Sequence, residues 1–187
     1  ENECRQMLYT AFQHPGPAAV RYPRGTGSGA LIASELNTLE IGKAVTVLEG
    51  TRVAILNFGT LLPMARAAAE QLGATLVDMR WVKPLDETLI RSLARGHALL
   101  VTLEENAIAG GAGSGVSEAL SSFGMEVPLL QLGIPDEFIE HGDHKEQLSD
   151  LGLDAKGIVA AVSAQLARLS GNLDSQGQAA IPAKAGI

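Results

Sequence analysis

The chain has 187 residues, of which 46% are hydrophobic, and its formal net charge is -7. This length and composition suffice for one sizeable core. The acidic balance argues against a general nucleic-acid or anionic-membrane surface but leaves room for a local cationic pocket. The single Cys4 excludes an intramolecular disulfide and a cysteine-rich metal cluster, and no apolar run approaches the roughly 20 residues of a membrane span. We therefore expect a cytoplasmic protein that acts on small molecules or other proteins.

The N-terminal stretch predicts one helix and one short strand. Apolar residues fall at helical spacing over 2–13, and residues 18–23 have the pattern of a strand. A helix and a strand alone cannot cover their apolar faces, so their neighbours must lie upstream or in another chain. We interpret residues 1–30 as the end of a preceding domain and residues 31–40 as an interdomain linker.

A second domain is predicted over residues 41–169, because strand and helix patterns alternate there. The expected fold is α/β, a three-layer αβα arrangement around a mostly parallel five-stranded sheet with an antiparallel strand at its start. The strands are predicted at 43–48, 53–58, 75–79, 98–103 and 127–132, and the helices at 62–72, 87–94, 115–123 and 155–169.

Local signals refine this prediction. The four residues between the first two strands, 49–52, are too few for a crossover, which favours an antiparallel hairpin. Asp86, Asp154 and Ser114 stand where N-caps are expected. Residues 170–187 lack apolar periodicity and are expected to form a flexible tail.

The stretch LLVTLEEN (99–106), followed by the glycine-rich GGAGSG (110–115), predicts a strand, loop and helix unit. Its carboxyl end should lie on the edge of the sheet where contacts are made. The glycine spacing does not match a dinucleotide fingerprint, because Val116 and Glu118 stand where glycine is required. Close packing is therefore favoured over nucleotide binding.

Two pairs of residues are weaker candidates for chemistry. Glu104 and Glu105 are adjacent carboxylates, but neighbours on a strand point in different directions, which favours a salt bridge or a helix cap over acid–base catalysis. His141 and His144 have an i, i+3 spacing that could hold a metal, yet Gly142 and the lack of further ligands favour surface histidines.

Arg21, Tyr22 and Arg24 form a compact cationic patch with an aromatic ring. Gly25 would allow backbone to approach whatever Arg24 contacts. A guanidinium here could bind a phosphate or a carboxylate through two parallel hydrogen bonds. An interdomain salt bridge is an equally good interpretation of the residues alone.

A succession of motifs resembles the C-terminal portion of the bacterial 1-deoxy-D-xylulose-5-phosphate synthase family, within the transketolase-like thiamine-diphosphate enzymes. The likeness covers residues 1–169 in order. It rests on ENECRQML (1–8), AVRYPRG (19–25), NFGT (57–60), LVDMRWVKPLD (76–86), EEN (104–106) and LGIPD (132–136).

The resemblance implies a transferase that condenses pyruvate with D-glyceraldehyde 3-phosphate, with loss of CO2, and feeds isoprenoid, thiamine and pyridoxal synthesis. It implies that residues 1–30 end a pyrimidine-binding domain and that residues 41–169 form a C-terminal domain supporting a homodimer. By the same resemblance, Arg24 matches the arginine that binds the phosphate of the aldehyde substrate. No other residue of the chain is assigned to the substrate site.

The sequence lacks the Gly-Asp-Gly motif with paired asparagines that would hold magnesium and the diphosphate. Thiamine diphosphate and Mg²⁺ are accordingly expected only in the full-length enzyme, with the catalytic residues upstream, and this chain alone is expected to be inactive. The alternatives are a transketolase or 2-oxoacid dehydrogenase beta-type C-terminal domain, and a non-catalytic interaction domain.

Overall fold

The computed structural model describes residues 1–23, 27 and 29–178, with the side chains of 172–178 excepted. Within these residues, eleven helices and strands follow one another. The helices are α1 (Asn2–Gln13), α2 (Leu62–Leu72), α3 (Glu87–Gly96), α4 (Ala112–Ser122), α5 (His144–Asp150) and α6 (Ala155–Gln178). The strands are β1 (Val45–Leu48), β2 (Val53–Phe58), β3 (Thr75–Asp78), β4 (Leu99–Ala107) and β5 (Leu129–Ile134).

The five strands form one sheet in the order β1-β3-β2-β4-β5. All neighbouring pairs are parallel except β1 and β3, which are antiparallel. The predicted fold class is therefore confirmed: a mostly parallel sheet whose first strand is antiparallel.

The predicted hairpin between the first two strands is wrong, because β3 lies between β1 and β2. The connection 49–52 instead crosses the end of β3, where Thr51 N donates a 3.0 Å hydrogen bond to Gly73 O. A Cβ on Gly50 would lie 2.4 Å from Gly73 O, so this passage requires glycine. Connection length identified a strand reversal but could not reveal which strand would be its neighbour.

Two apolar cores lie on opposite faces of the sheet, as period-2 alternation along buried strands requires. On β2, Val53 and Ile55 face the first core, whereas Ala54 and Leu56 face the second. The first core is closed by α2, α5 and α6, and the second by α3 and α4. The result is the predicted three-layer arrangement.

Other elements differ from the sequence prediction in ways that have physical causes. No strand forms over residues 18–23, because no partner strand pairs with them among the described residues. The helix α5 was not predicted; Asp143 caps it by accepting hydrogen bonds from Lys145 N and Glu146 N. Helix α6 continues to Gln178, so residues 170–178 of the predicted flexible tail are helical, since extending a formed helix costs little. The remainder of that tail, 179–187, lies outside the described residues.

Helix α1 is bound along its length to residues 29–39, which correspond largely to the predicted linker. The Asn2 side chain donates to Leu31 O at 3.0 Å and accepts from Ala33 N at 2.9 Å. Further along, Thr10 Oγ1 accepts from Leu39 N at 2.8 Å. These side chains satisfy the backbone of a segment that has no regular secondary structure. Among the described residues, no helix combines the length and apolarity needed to cross a membrane.

Candidate functional site at the carboxyl edge of the sheet

The carboxyl ends of β3, β2 and β4 lie side by side. Asn57 of β2 is in register with Asp78 of β3, and Phe58 is in register with Glu104 of β4. Because neighbouring strands are separated by about 4.8 Å, the residues that follow these three strands share one edge about 10 Å wide. This is the edge predicted for the EEN motif.

Glu104 is buried and caps the helix that follows its own strand. Its Oε2 accepts a hydrogen bond from Ala112 N and its Oε1 from Gly113 N, both at 2.8 Å. These amides belong to the first turn of α4, where backbone donors lack partners within the helix and the dipole favours a negative charge. Glu104 therefore has the capping role that the sequence favoured, and it is not paired with Glu105 as an acid–base couple.

Two glycines of the glycine-rich loop allow its backbone to approach the Glu104 carboxylate closely. A Cβ on Gly111 would lie 2.6 Å from both carboxylate oxygens, and a Cβ on Gly113 would lie 3.3 Å from Oε1. Close packing is thus the reason for Gly111 and Gly113, as predicted for the loop. Ser114 is not the N-cap: α4 begins at Ala112, and the Ser114 hydroxyl instead donates to Ile108 O within the loop.

Glu105 points away from Glu104 and collects polar contacts from two other segments. Its Oε2 accepts a 2.5 Å hydrogen bond from Thr60 Oγ1, and its Oε1 accepts a 2.7 Å hydrogen bond from His144 Nε2. Burial raises the pKa of the Glu105 carboxyl, whereas the hydrogen bonds from Thr60 and His144 lower this pKa. The charges of His144 and Arg21 act in the same direction, so this pKa lies below its ordinary value.

Arg21 joins the N-terminal segment to this edge. Its Nη2 donates a 2.5 Å hydrogen bond to the backbone carbonyl of Glu105. Tyr22, the next residue of the cationic patch, is exposed. Arg24, the predicted phosphate-binding residue, lies outside the described residues, as does Gly25. The Arg21 contact is a hydrogen bond to a backbone carbonyl and not the salt bridge that was the alternative interpretation of the patch.

Sequence reasoning missed a second charged group, which lies at the end of β3. Arg80 forms an ion pair with Glu3 of α1 and adopts a positive φ of 56°, an uncommon backbone conformation for a residue with a side chain. Burial, the charge of Glu3 and a hydrogen bond to Glu3 raise the pKa of Asp78 to about 7, against the opposing effect of Arg80. The sequence signal that could have revealed this group is the DMR triplet (78–80), which places two charged residues at the end of a buried strand.

The two histidines do not lie together in a metal site. His144 contacts Glu105, whereas His141 is an exposed residue of the loop before α5. In the part of the chain that the structure describes, no three or more His, Cys, Asp or Glu side chains are grouped so that they could hold a metal ion.

Comparisons with known proteins agree with this architecture. Residues 42–158 match the family model described as Transketolase, C-terminal domain. The chain is also similar to a solved structure titled "Split gene transketolase, inactive beta4 tetramer", with a TM-score of 0.63 and 35% identity over 68% of this chain and 43% of that one.

Curated relatives confirm the resemblance found in the motifs. The chain is 63% identical over 170 residues to 1-deoxy-D-xylulose-5-phosphate synthase of Cellvibrio japonicus, covering 91% of this chain and 27% of that protein. It is 58% identical over 168 residues to the synthase of Vibrio parahaemolyticus, covering 90% and 27%. The chain thus spans about a quarter of the length of these relatives. Since the family match extends over more than half of its residues, the chain belongs to the transketolase C-terminal domain family.

Proposed function

We propose that this chain supplies the C-terminal part of a thiamine-diphosphate-dependent transferase. The full-length protein would condense pyruvate with D-glyceraldehyde 3-phosphate, with loss of CO2, to give 1-deoxy-D-xylulose 5-phosphate, a precursor in isoprenoid, thiamine and pyridoxal synthesis. The observation that carries this proposal is the 63% identity to the Cellvibrio japonicus synthase over 91% of the chain. Residues 1–30 would end the pyrimidine-binding domain, residues 31–40 would link it to the C-terminal domain over 41–169, and the tail would extend over 170–187.

Within that enzyme, Arg24 would bind the phosphate of D-glyceraldehyde 3-phosphate. A guanidinium offers two parallel donors that match two phosphate oxygens. The hydrogen bond from Arg21 to Glu105 supports this role, because it ties the segment just before Arg24 to the carboxyl edge of the sheet, where ligands bind in open α/β folds.

Thiamine diphosphate and Mg²⁺ would be held by the upstream domains. Among the described residues, no three or more His, Cys, Asp or Glu side chains are grouped as candidate ligands of a metal ion. We assign no catalytic residue to this chain, which would contribute substrate binding and assembly contacts. The complete enzyme is proposed to be a cytoplasmic homodimer.

The test compares the full-length protein with the isolated segment. We expect CO2 release from pyruvate that depends on D-glyceraldehyde 3-phosphate in the full-length protein and no activity from the segment alone. Arg24→Ala in the full-length protein should raise KM for the phosphorylated aldehyde at least about tenfold, since loss of a charge-assisted contact costs about 1.5–3 kcal/mol. Synthase activity of the isolated segment would contradict the expectation that the segment alone is inactive. An unchanged KM in Arg24→Ala would contradict the phosphate-binding role of Arg24.

A transketolase is the second candidate, because the solved transketolase chain shares 35% identity with this one. A transketolase would transfer a two-carbon unit from a ketose phosphate without releasing CO2. Supplying pyruvate and a ketose phosphate as alternative donors to the full-length protein separates the two activities: dependence of product formation on pyruvate, with stoichiometric CO2, supports the synthase.

A further inference from the structure

We propose that Glu3, Asp78 and Arg80, named here the Glu3 cluster, share one proton and form a pH-sensitive latch that holds α1 against the end of β3. The latch is closed when the proton is bound and weakens when the proton is lost. This inference goes beyond the proposed function, because it concerns how α1 is held on the sheet and does not depend on which reaction the full-length protein catalyses.

Helix α1 lies on the sheet without joining either apolar core. Among the described residues, neither core nor the partly buried apolar side chains packed against it include a residue of α1. Leu8 and Phe12 of this helix are exposed, and the side chains of Asn2 and Thr10 bond to residues 29–39. Contact between α1 and the sheet therefore depends on polar groups, which respond to pH and salt more than apolar packing does.

The Glu3 cluster makes such a polar contact. Arg80 forms an ion pair with Glu3, and the backbone amide of Arg80 donates a 3.3 Å hydrogen bond to Asp78 Oδ1. The carboxyl groups of Asp78 and Glu3 are hydrogen-bonded to each other. Because an ionised carboxylate can only accept hydrogen bonds, this contact requires a proton on one of the two groups.

Burial and charge place that proton on Asp78. Two carboxylates outnumber one guanidinium, so one added proton neutralises the cluster. Asp78 is buried, whereas the side chains of Glu3 and Arg80 are partly exposed, and burial penalises the ionised form of a carboxyl group. Glu3 lies in the first turn of α1, where the helix dipole favours a negative charge. Burial first and then Glu3 raise the pKa of Asp78 to about 7, so the proton is bound in weakly acidic solution.

The strands beside Asp78 do not add a further charge at its position. Its register partners are Val45 on β1 and Asn57 on β2, and neither side chain titrates. The charged groups that act on Asp78 are Glu3 from α1 and Arg80 from the turn after β3. Loss of the proton leaves two carboxylates in contact, and like charges at this separation repel each other. Rising pH should therefore weaken the contact between α1 and the sheet.

Hydrogen–deuterium exchange of the full-length protein, read by mass spectrometry, measures the latch from both of its sides. The peptides to follow cover residues 2–13 and 79–86, and peptides from β2 and β4 are the internal reference. Protection is corrected for the pH dependence of chemical exchange. Between about pH 6 and about pH 8, protection of the two latch peptides should fall up to about tenfold, because the closed state loses its proton through a pKa of about 7. Protection of β2 and β4 should change by less than about twofold.

Substitution of a carboxyl by an amide separates the proton latch from a general structural defect. Asp78→Asn supplies a permanent neutral donor to Glu3, so protection at about pH 8 should stay at the level found at about pH 6 and exceed that of the unmodified protein. Glu3→Gln removes the repulsion and should reduce the fall. Glu3→Ala removes the contact, so protection should be low at both pH values. Asp136→Asn replaces an exposed carboxylate and is the matched control, which should keep the full pH dependence.

Three results would overturn the inference. The first is equal protection of the latch peptides at the two pH values in the unmodified protein. The second is a fall that persists undiminished in Asp78→Asn. The third is a fall of the same size in β2 and β4, because that result would indicate a loss of global stability in place of a local opening. A fall confined to the latch peptides and abolished by Asp78→Asn supports the latch.

Discussion

Glu104 Oε1 accepts a 2.8 Å hydrogen bond from the backbone amide of Gly113, so the end of a buried strand caps the helix that follows it. The capping carboxylate belongs to a strand residue on the other side of the glycine loop. It takes the place of a side-chain cap from a residue adjacent to the helix. This contact ties the first turn of α4 to the carboxyl end of β4, next to Glu105.

The first prediction concerns this cap. Glu104→Ala should lower the free energy of unfolding by about 2–4 kcal/mol, because two helix N-terminal amides lose a buried anionic acceptor. Urea denaturation followed by circular dichroism measures the loss. Glu118→Ala, an exposed position on the same helix, is the control and should change the free energy by no more than about 0.5 kcal/mol. Equal effects of the two substitutions would contradict the capping role.

The second prediction uses two glycines of α4. A Cβ on Gly113 would lie 2.5 Å from Thr102 Oγ1, whereas a Cβ on Gly115 would be 3.6 Å from its nearest neighbour, Leu85 Cδ1. Gly113→Ala should therefore destabilise the protein by about 1–3 kcal/mol, and Gly115→Ala should stabilise it by about 0.5–1 kcal/mol, because alanine favours helix.

Thermal unfolding of the two variants decides between packing and propensity. If helix propensity governed both sites, both alanines would raise the melting temperature. Thr102→Ala added to Gly113→Ala should recover part of the loss, because it removes the hydroxyl that the new methyl group meets and that has no hydrogen-bond partner. Strictly additive effects would mean that the clash is elsewhere.

The third prediction concerns pH. The pKa of Asp78 is raised from 3.8 to about 7 in the folded protein, by burial first and then by Glu3. A raised carboxyl pKa stabilises the fold at pH values below the unfolded pKa, and this contribution is lost as pH rises through the folded pKa. The free energy of unfolding should therefore fall between about pH 4 and pH 7, by at most about 1.4 kcal/mol per pH unit from this group.

Urea denaturation at several pH values tests the assignment. Asp78→Asn should remove this part of the pH dependence, and Glu3→Gln should weaken it because the neighbouring charge is lost. Asp136→Asn removes an exposed carboxylate and should leave the pH dependence unchanged. The assignment fails if Asp78→Asn keeps the slope of the unmodified protein.

The sequence predicted the alternation of strands and helices well where the pattern was local. Helix α2 and strand β2 have the predicted bounds, because apolar periodicity and clear breakers mark both. Helix α5 was missed, since its seven residues carry too little periodic signal to predict a helix.

The candidate site was predicted in part. The EEN motif placed Glu104 and Glu105 at the carboxyl edge of the sheet, and the opposite directions of adjacent strand residues favoured a salt bridge or a helix cap over a paired acid–base role. The contacts of Glu105 with Thr60 and His144, and of Asp78 with Glu3, could not be predicted, because the partners are 45, 39 and 75 residues apart in the chain. Arg24 remains a prediction from the motif.

By itself, the sequence determined most of the strands and helices of residues 41–169, that the sheet is mostly parallel and buried on both faces, and the family to which the chain belongs. Hydrophobic periodicity and the order of motifs can be read directly from the linear sequence, so they suffice for these conclusions. Only the tertiary structure decided that β3 lies between β1 and β2 and that Glu105 gathers Arg21, Thr60 and His144. Strand order and side-chain partners depend on which distant surfaces bury each other, and no local pattern encodes that choice.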